Sequence, residues 1–457
     1  MDSANADVTA NVPPEILDNI FKHCERRYKQ RVCNWRSKFL PKSRLQPLLL
    51  VCRRWHTVAE SRLYSSVGLG SNRVVRDRNG QRMELKGKDV RRKFCETVQN
   101  NTRIALLVRE LRLGIPYTFD DADEEGFEAS DIHILLIGIC KNVENIELHG
   151  CHAAFLDDLA EVLAKADLTS LSLDSRRLGD FIARRGKMLS LSTVIKLLRG
   201  SSRLQTLYYR LSRHDQGHEA SFTKTPSVQG VCTTLKVLSL QGGAFDQTQL
   251  PLLASLTPAL EEFSIQVGME CCAILRQCMK SWSSSLRCLT AFTWINDEPP
   301  VADACPIICF PMTELRDLWI SAPPVPPSAM VFLPKLETLN FRGDYSDGAD
   351  LIRVIRKGAM PNLREIQTTF SPPKSDDGVG LSERNVDLEI ELAQELRKVC
   401  AERKTFPRDF FADDEGLDEY YRYLEESPES SDNDWRDYES SAQANTFLGD
   451  EIIGDPW

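Results

Sequence analysis

Apolar residues return through the middle of this chain in one repeated order: apolar, two variable, apolar, one variable, apolar. It reads VRELRL at 108–113, VENIEL at 143–148, LTSLSL at 168–173, LQTLYY at 204–209 and LKVLSL at 235–240. It continues as LEEFSI at 260–265, LRCLTA at 286–291, LRDLWI at 315–320, LETLNF at 336–341 and LREIQT at 363–368. The last two apolar positions alternate with polar ones, which predicts a short half-buried strand in each unit. Between the units, DDLAEVLAKA (157–166), STVIKLLRGS (192–201), CCAILRQCMKSW (271–282) and GADLIRVIRKGA (348–359) space their apolar residues by three or four and predict helices. A strand and a helix within about 30 residues cannot close a core alone, so neighbouring units must stack. The expected class is α/β. Two stretches break the rhythm: 118–131 is too polar and 297–311 too rich in proline, and both are expected to project as loops.

The N-terminus follows another rule. Residues 12–24 read VPPEILDNIFKHC, with Ile16, Leu17, Ile20, Phe21 and Cys24 on one helical stripe. Pro13 and Pro14 suit a first helical turn, where their missing N–H groups would lack partners anyway. Glu15 there suits the helix dipole. Residues 48–67 predict a second helix with Leu48, Val51, Cys52, Trp55, Val58, Ala59 and Leu63 on its stripe. Phe21, Leu49 and Trp55 promise more apolar surface than one small hairpin covers, which marks a partner site.

The repeated motif resembles the leucine-rich repeat over roughly residues 100–370, which implies a solenoid with a parallel inner sheet and outer helices. The fit is irregular. The family's Asn or Cys just past the motif stands only as Cys151, so its ladder of buried side-chain hydrogen bonds is mostly missing. At the N-terminus, VPPEIL and IF followed by LLLVCRRW resemble the F-box, and AESRLYSSVGL resembles its continuation in many fungal F-box proteins. That resemblance implies docking on the adaptor Skp1, and through it on a cullin–RING ubiquitin ligase. It places Pro13, Glu15, Ile16, Leu17, Ile20 and Phe21 from the first helix at the Skp1 contact. Leu49, Val51, Cys52 and Trp55 join them from the second. Two departures stand out: Val12 replaces the usual Leu, and the basic link 22–46 is longer than usual.

The organisation expected is therefore an F-box at 1–66 with a basic insertion at 22–46, a solenoid at 67–404 closed by a capping helix, and an acidic tail at 405–457. The tail combines strong negative charge with few aliphatics, which argues for disorder, while Tyr420, Tyr421, Tyr423, Trp435 and Tyr438 argue that part of it docks. The net charge of −9 hides an asymmetry: residues 1–100 hold 21 Lys and Arg against 10 Asp and Glu, and residues 409–457 hold 2 against 16. The basic run 72–93 reads as a solvated loop or a place for the acidic tail. It lacks the interleaved aromatics a single-strand nucleic-acid binder uses. Nucleic acid is not an expected partner.

The 14 cysteines sit among apolar residues, which suits buried thiols and a reducing compartment. No apolar run reaches membrane-spanning length, and MDSANADVTA lacks the basic-then-apolar order of a signal peptide. A cytoplasmic or nuclear location is expected, with no membrane partner. The chain carries no phosphate-binding glycine loop, no H-E-x-x-H and no G-x-S-x-G. His149, Cys151 and His152 lack a second cluster at metal-site spacing. No metal, cofactor or catalytic residue is expected, and the chain reads as a non-enzyme. The expected role is a substrate-recognition adaptor of an SCF ubiquitin ligase, acting in ubiquitin-dependent degradation. Ser172, Tyr208, Ser239 and Trp319, at variable motif positions, are the candidates to face the substrate. Two alternatives stand beside it: a non-degradative scaffold whose N-terminal helices only cap the solenoid, and an enzyme with chemistry in the loops at 118–131 or 297–311.

Overall fold

The computed structural model describes residues 12–24, 43–70, 72–76, 82–114, 122–174, 188–211, 217–220, 231–242, 248–267, 271–293, 306–321, 324–372 and 385–407. These fall into two compact units, one running to Leu204 with residues 217–220, the other taking 205–211 and 231–407. Both are α/β, with parallel strands followed by helices. No described helix is long and apolar enough to cross a membrane.

The first unit opens with helix α1 (Pro14–Cys24), a 3-10 run at Ser43–Leu50 and helix α2 (Arg53–Ser65). Strand β1 (Ser66–Leu69) follows without a loop. An antiparallel pair, β2 (Arg73–Arg76) with β3 (Arg82–Leu85), leads into α3 (Gly87–Asn100) and α4 (Thr102–Leu107). Strand β4 (Glu110–Gly114), helix α5 (Ala122–Ile139), strand β5 (Asn145–His149), helix α6 (Leu156–Lys165), strand β6 (Ser170–Asp174) and helix α7 (Leu191–Gly200) complete it. Strands β1, β4, β5 and β6 lie side by side in that order, all parallel.

The second unit holds β7 (Thr206–Arg210), β8 (Val237–Gln241), α8 (Gln249–Leu256), β9 (Glu262–Val267), α9 (Cys272–Trp282) and β10 (Cys288–Thr293). It continues with β11 (Asp317–Ser321), β12 (Thr338–Asp344), α10 (Tyr345–Arg356), β13 (Glu365–Ser371), α11 (Val386–Arg403) and β14 (Phe406–Pro407). Its eight strands pair in chain order and in parallel.

All ten motif copies are strands, and their chemistry explains the architecture. The first apolar residue of each copy, such as Leu260, Leu286, Leu315 and Leu336, is buried just before its strand. The next two, such as Leu318 and Ile320 of β11, point to the buried side, while the residues between them face outward. Behind β9, the Phe263 ring packs on Trp282 of α9 at 4.8 Å, and the Trp282 indole N–H donates to the Thr257 carbonyl at 2.9 Å. In place of a side-chain ladder, a backbone ladder joins the copies. The carbonyl after the first apolar residue accepts two N–H groups from the next copy: Lys236 from Glu261 and Glu262 at 2.9 and 2.8 Å, then Glu261 from Arg287 and Cys288 at 2.7 and 3.0 Å.

Three expectations change. Residues 122–131 are not a projecting loop but the first half of α5, because no proline interrupts the run and Ala129 and Ile132 begin the buried face that Leu136 and Ile137 continue. Residues 118–121 lie outside the described residues. The basic run 72–93 is β2, β3 and the start of α3, not a solvated loop, with 77–81 outside the described residues. Ordered structure also extends past 404: the Thr405 hydroxyl donates to Leu363 O at 3.0 Å and the Phe406 N–H to Arg364 O at 2.7 Å. The tail from 408, link residues 25–42 and loop residues 297–305 are outside the described residues. In the remainder of that proline-rich stretch Ile307 and Ile308 are buried.

Candidate partner-binding site on the N-terminal helices

The two N-terminal helices have a closed core of their own. Leu17 and Phe21 of α1, Leu45 of the 3-10 run and Ala59 of α2 are fully buried together, with Val12, Cys24, Leu48, Leu49, Trp55 and Val58 packed around them. The Phe21 and Trp55 rings meet edge-on at 5.2 Å. Outside the core, Arg62 of α2 forks onto Asp18 of α1, with Nη2 2.9 Å from Oδ2. Glu60 of α2 takes both guanidinium nitrogens of Arg103, which ties the hairpin to α4. That hydrogen bond, ahead of the opposing effect of burial, holds the Glu60 carboxyl below its usual range.

This core corrects the expected contact set. Leu17 and Phe21 cannot meet a docked protein, because the hairpin itself covers them. Trp55 and Leu49 are half-buried against the same core. The single stripe expected on α1 splits in two: Leu17 and Phe21 turn in, while Ile16 and Ile20 turn out, 49% and 45% exposed. The second expected stripe splits as well. Pro47 removes a backbone donor, residues 43–50 wind as a 3-10 run, and Cys52 is extended at φ −161° and ψ 169° before α2 begins. The change of helical phase leaves Val51 51% exposed and Leu50 88% exposed. Leu50 is absent from the residues expected from the sequence, since α-helical spacing through 48–63 puts it off the stripe. Pro13 and Glu15 are exposed and Cys52 half-buried.

What remains on the outside is two apolar pairs, Ile16 with Ile20 and Leu50 with Val51. None of the four belongs to the buried core of the hairpin. Exposed aliphatic groups on a hairpin already closed by other residues are available for a partner without unfolding anything.

The outward strand positions form the second candidate surface. In the second unit the register aligns Tyr208, Ser239, Ser264, Thr290 and Trp319 in one row across β7 to β11. Tyr208 and Trp319 stand 46% and 43% exposed. Ser239 does not: it is buried, a short side chain among taller neighbours, with Gln241 donating to its hydroxyl at 3.4 Å. Ser172, on β6 of the first unit, is half-exposed and aligned with Glu147.

The residues considered for chemistry do not converge. His149 Nε2 lies 3.0 Å from Glu147, Cys151 is buried, and the His152 ring accepts the Ala154 N–H. Among the described residues no cluster of three His, Cys, Asp or Glu side chains is placed to hold a metal. Burial pushes the thiols of Cys140 and Cys151 up to about 11 and that of Cys278 up to about 12, so none is a ready nucleophile. No protein-family model matches this chain, and no curated protein matches it either.

Proposed function

We propose that this chain is a non-catalytic adaptor: its N-terminal helices dock on Skp1, and its strand face presents a bound protein to a cullin–RING ubiquitin ligase. The observation that carries the reading is the pair of exposed aliphatic sets, Ile16 with Ile20 and Leu50 with Val51, on a hairpin whose core is already closed. The F-box resemblance of the same segments names the partner. The contribution to ubiquitin transfer is proximity, since a tethered substrate meets the ligase at high effective concentration.

A second reading has its own support. Ser65, the last residue of α2, accepts the Arg109 N–H at 2.9 Å, and Glu60 binds Arg103. Those contacts suit a hairpin that only caps the strands. Capture of the full chain by immobilised Skp1 separates the two. Ile16→Asp with Ile20→Asp abolishes capture while leaving the circular dichroism spectrum unchanged if the adaptor reading holds. Wild type and variant both fail to bind if the hairpin is only a cap.

A further inference from the structure

The strand face of the second unit has anchors and unsatisfied charge at defined positions. Tyr208 on β7 and Trp319 on β11 are the exposed aromatics of one row, which runs on past Trp319 as Asn340 and Gln367, and between the two rings stand only the short side chains of Ser239, Ser264 and Thr290. Four strand spacings of about 4.8 Å separate the two rings by roughly 19 Å, wide enough for a peptide segment laid across the strands.

Charge decides what kind of segment. One row nearer the strand starts, the register runs Val237, Glu262, Cys288, Asp317. Neither the Glu262 nor the Asp317 carboxylate has an ion-pair or hydrogen-bond partner among the described residues. Both nevertheless act on the thiol between them: after burial, Asp317 and then Glu262 raise the Cys288 thiol to about 11. The acids just behind this row are spoken for. Glu261 takes Lys236 at 2.6 Å and Arg287 at 3.1 Å, and Glu337 takes Arg316 at 3.4 Å and Arg364 at 3.2 Å. At the other end of the strands, the Arg342 guanidinium lies 5.7 Å from the centre of the Phe292 ring. At the strand starts, where Glu262 and Asp317 stand, the charge without a counter-ion among the described residues is negative.

We propose that this face binds a basic segment of a partner protein, laid across β8 to β11, with one Arg or Lys side chain against the Trp319 ring and the Asp317 carboxylate. Asp317 and Trp319 are two residues apart on one strand face, about 7 Å, which lets one long cationic side chain meet the ring and the carboxylate together. Glu262 lies two strands away, roughly 10 Å, or about three residues of extended chain, so it takes a second basic residue at the third position along. The proposal gives the substrate class for the adaptor reading and takes its biological meaning from it, while the binding itself stands apart.

The test uses the full-length chain and a fluorescein-labelled peptide of about twelve residues, with Arg at every third position and Ser and Leu between, a spacing set by the strand geometry. Anisotropy is compared for wild type, Trp319→Ala, Asp317→Asn and Glu161→Gln, the last removing one acid on α6. The expected result is about tenfold weaker binding for Trp319→Ala, a several-fold loss for Asp317→Asn, and no change for Glu161→Gln. Asp317→Asn keeps the side-chain shape, so it carries the test if Trp319→Ala folds poorly. Equal binding by all four proteins is general attraction to a negatively charged chain and overturns the proposal. Tighter binding of the same peptide with Glu in place of Arg overturns it too. Skp1 capture is read on the same preparations. Peptide binding lost with capture kept sinks this inference alone; capture lost with peptide binding kept sinks the adaptor reading alone.

Discussion

The strand faces of the two units are built from the same motif positions and end in opposite electrostatic states. In the first unit, Arg112 of β4 sits 2.6 Å from Glu110 and 3.7 Å from Glu147, and His149 caps Glu147 at 3.0 Å. The charges consume one another and all four side chains are largely covered. In the second, Glu262 and Asp317 occupy the same kind of position with no counter-charge, beside an exposed tryptophan. The shared framework fixes which residues face outward. The identity of those residues alone decides whether the surface is closed on itself or open to a partner.

The largest difference between the buried and outward positions of the framework is in stability. Leu318 and Trp319 are neighbours on β11 with opposite orientations. Leu318→Ala is expected to destabilise the chain by about 2–5 kcal/mol in denaturant unfolding, whereas Trp319→Ala stays within about 1 kcal/mol. Equal losses would mean that the outward row is structural too.

The first unit holds a buried group with no counterpart among the described residues of the second. His133 of α5 is fully buried, with neither ring nitrogen hydrogen-bonded. Burial first, then the nearby Arg91 cation, lowers its pKa to about 3 from 6.5. The folded state therefore stays neutral where the unfolded state takes a proton. This penalty is absent above pH 6.5, sets in as pH falls below it, and grows until about 3. His133→Leu is expected to raise the melting temperature at about pH 5 more than at about pH 8. An equal change at both values would assign the effect to packing instead.

The charged faces give the smallest effects. Glu147→Gln removes the shared partner of Arg112 and His149 and is expected to cost on the order of 1 kcal/mol at low salt, less at high salt. Asp317→Asn has no pair to lose and should be neutral or slightly stabilising in the same unfolding experiment. If both cost the same, the contrast between the faces does not hold.

Much of this framework was legible in the sequence. An apolar anchor before an alternating triplet specifies a strand, its buried side and its distance from the next copy, so all ten strands follow from spacing. Tyr208 and Trp319 face outward for the same reason. Ser239 shows the limit: alternation gives direction, but exposure depends on the height of neighbours in other copies, which only the register reveals. The start of α5 was hidden because its acid-rich opening has the polarity of a loop. The hairpin was misphased at Pro47. Spacing arguments assume 3.6 residues per turn, and a 3-10 run turns every three, so Leu50 and Val51 swing outward while Leu49 stays on the core. Which member of an apolar stripe is buried by its own hairpin, as Leu17 and Phe21 are, depends on where the second helix lies against the first.

The proposed adaptor role stands most directly on whether Skp1 binds the N-terminal helices. Hydrogen exchange of the full-length protein, with and without Skp1 in excess, reads this segment by segment. The account predicts added protection confined to residues 12–24 and 43–65, lost in the Ile16→Asp, Ile20→Asp variant. No added protection, or protection on β7 to β11 with the N-terminal helices unchanged, would contradict it.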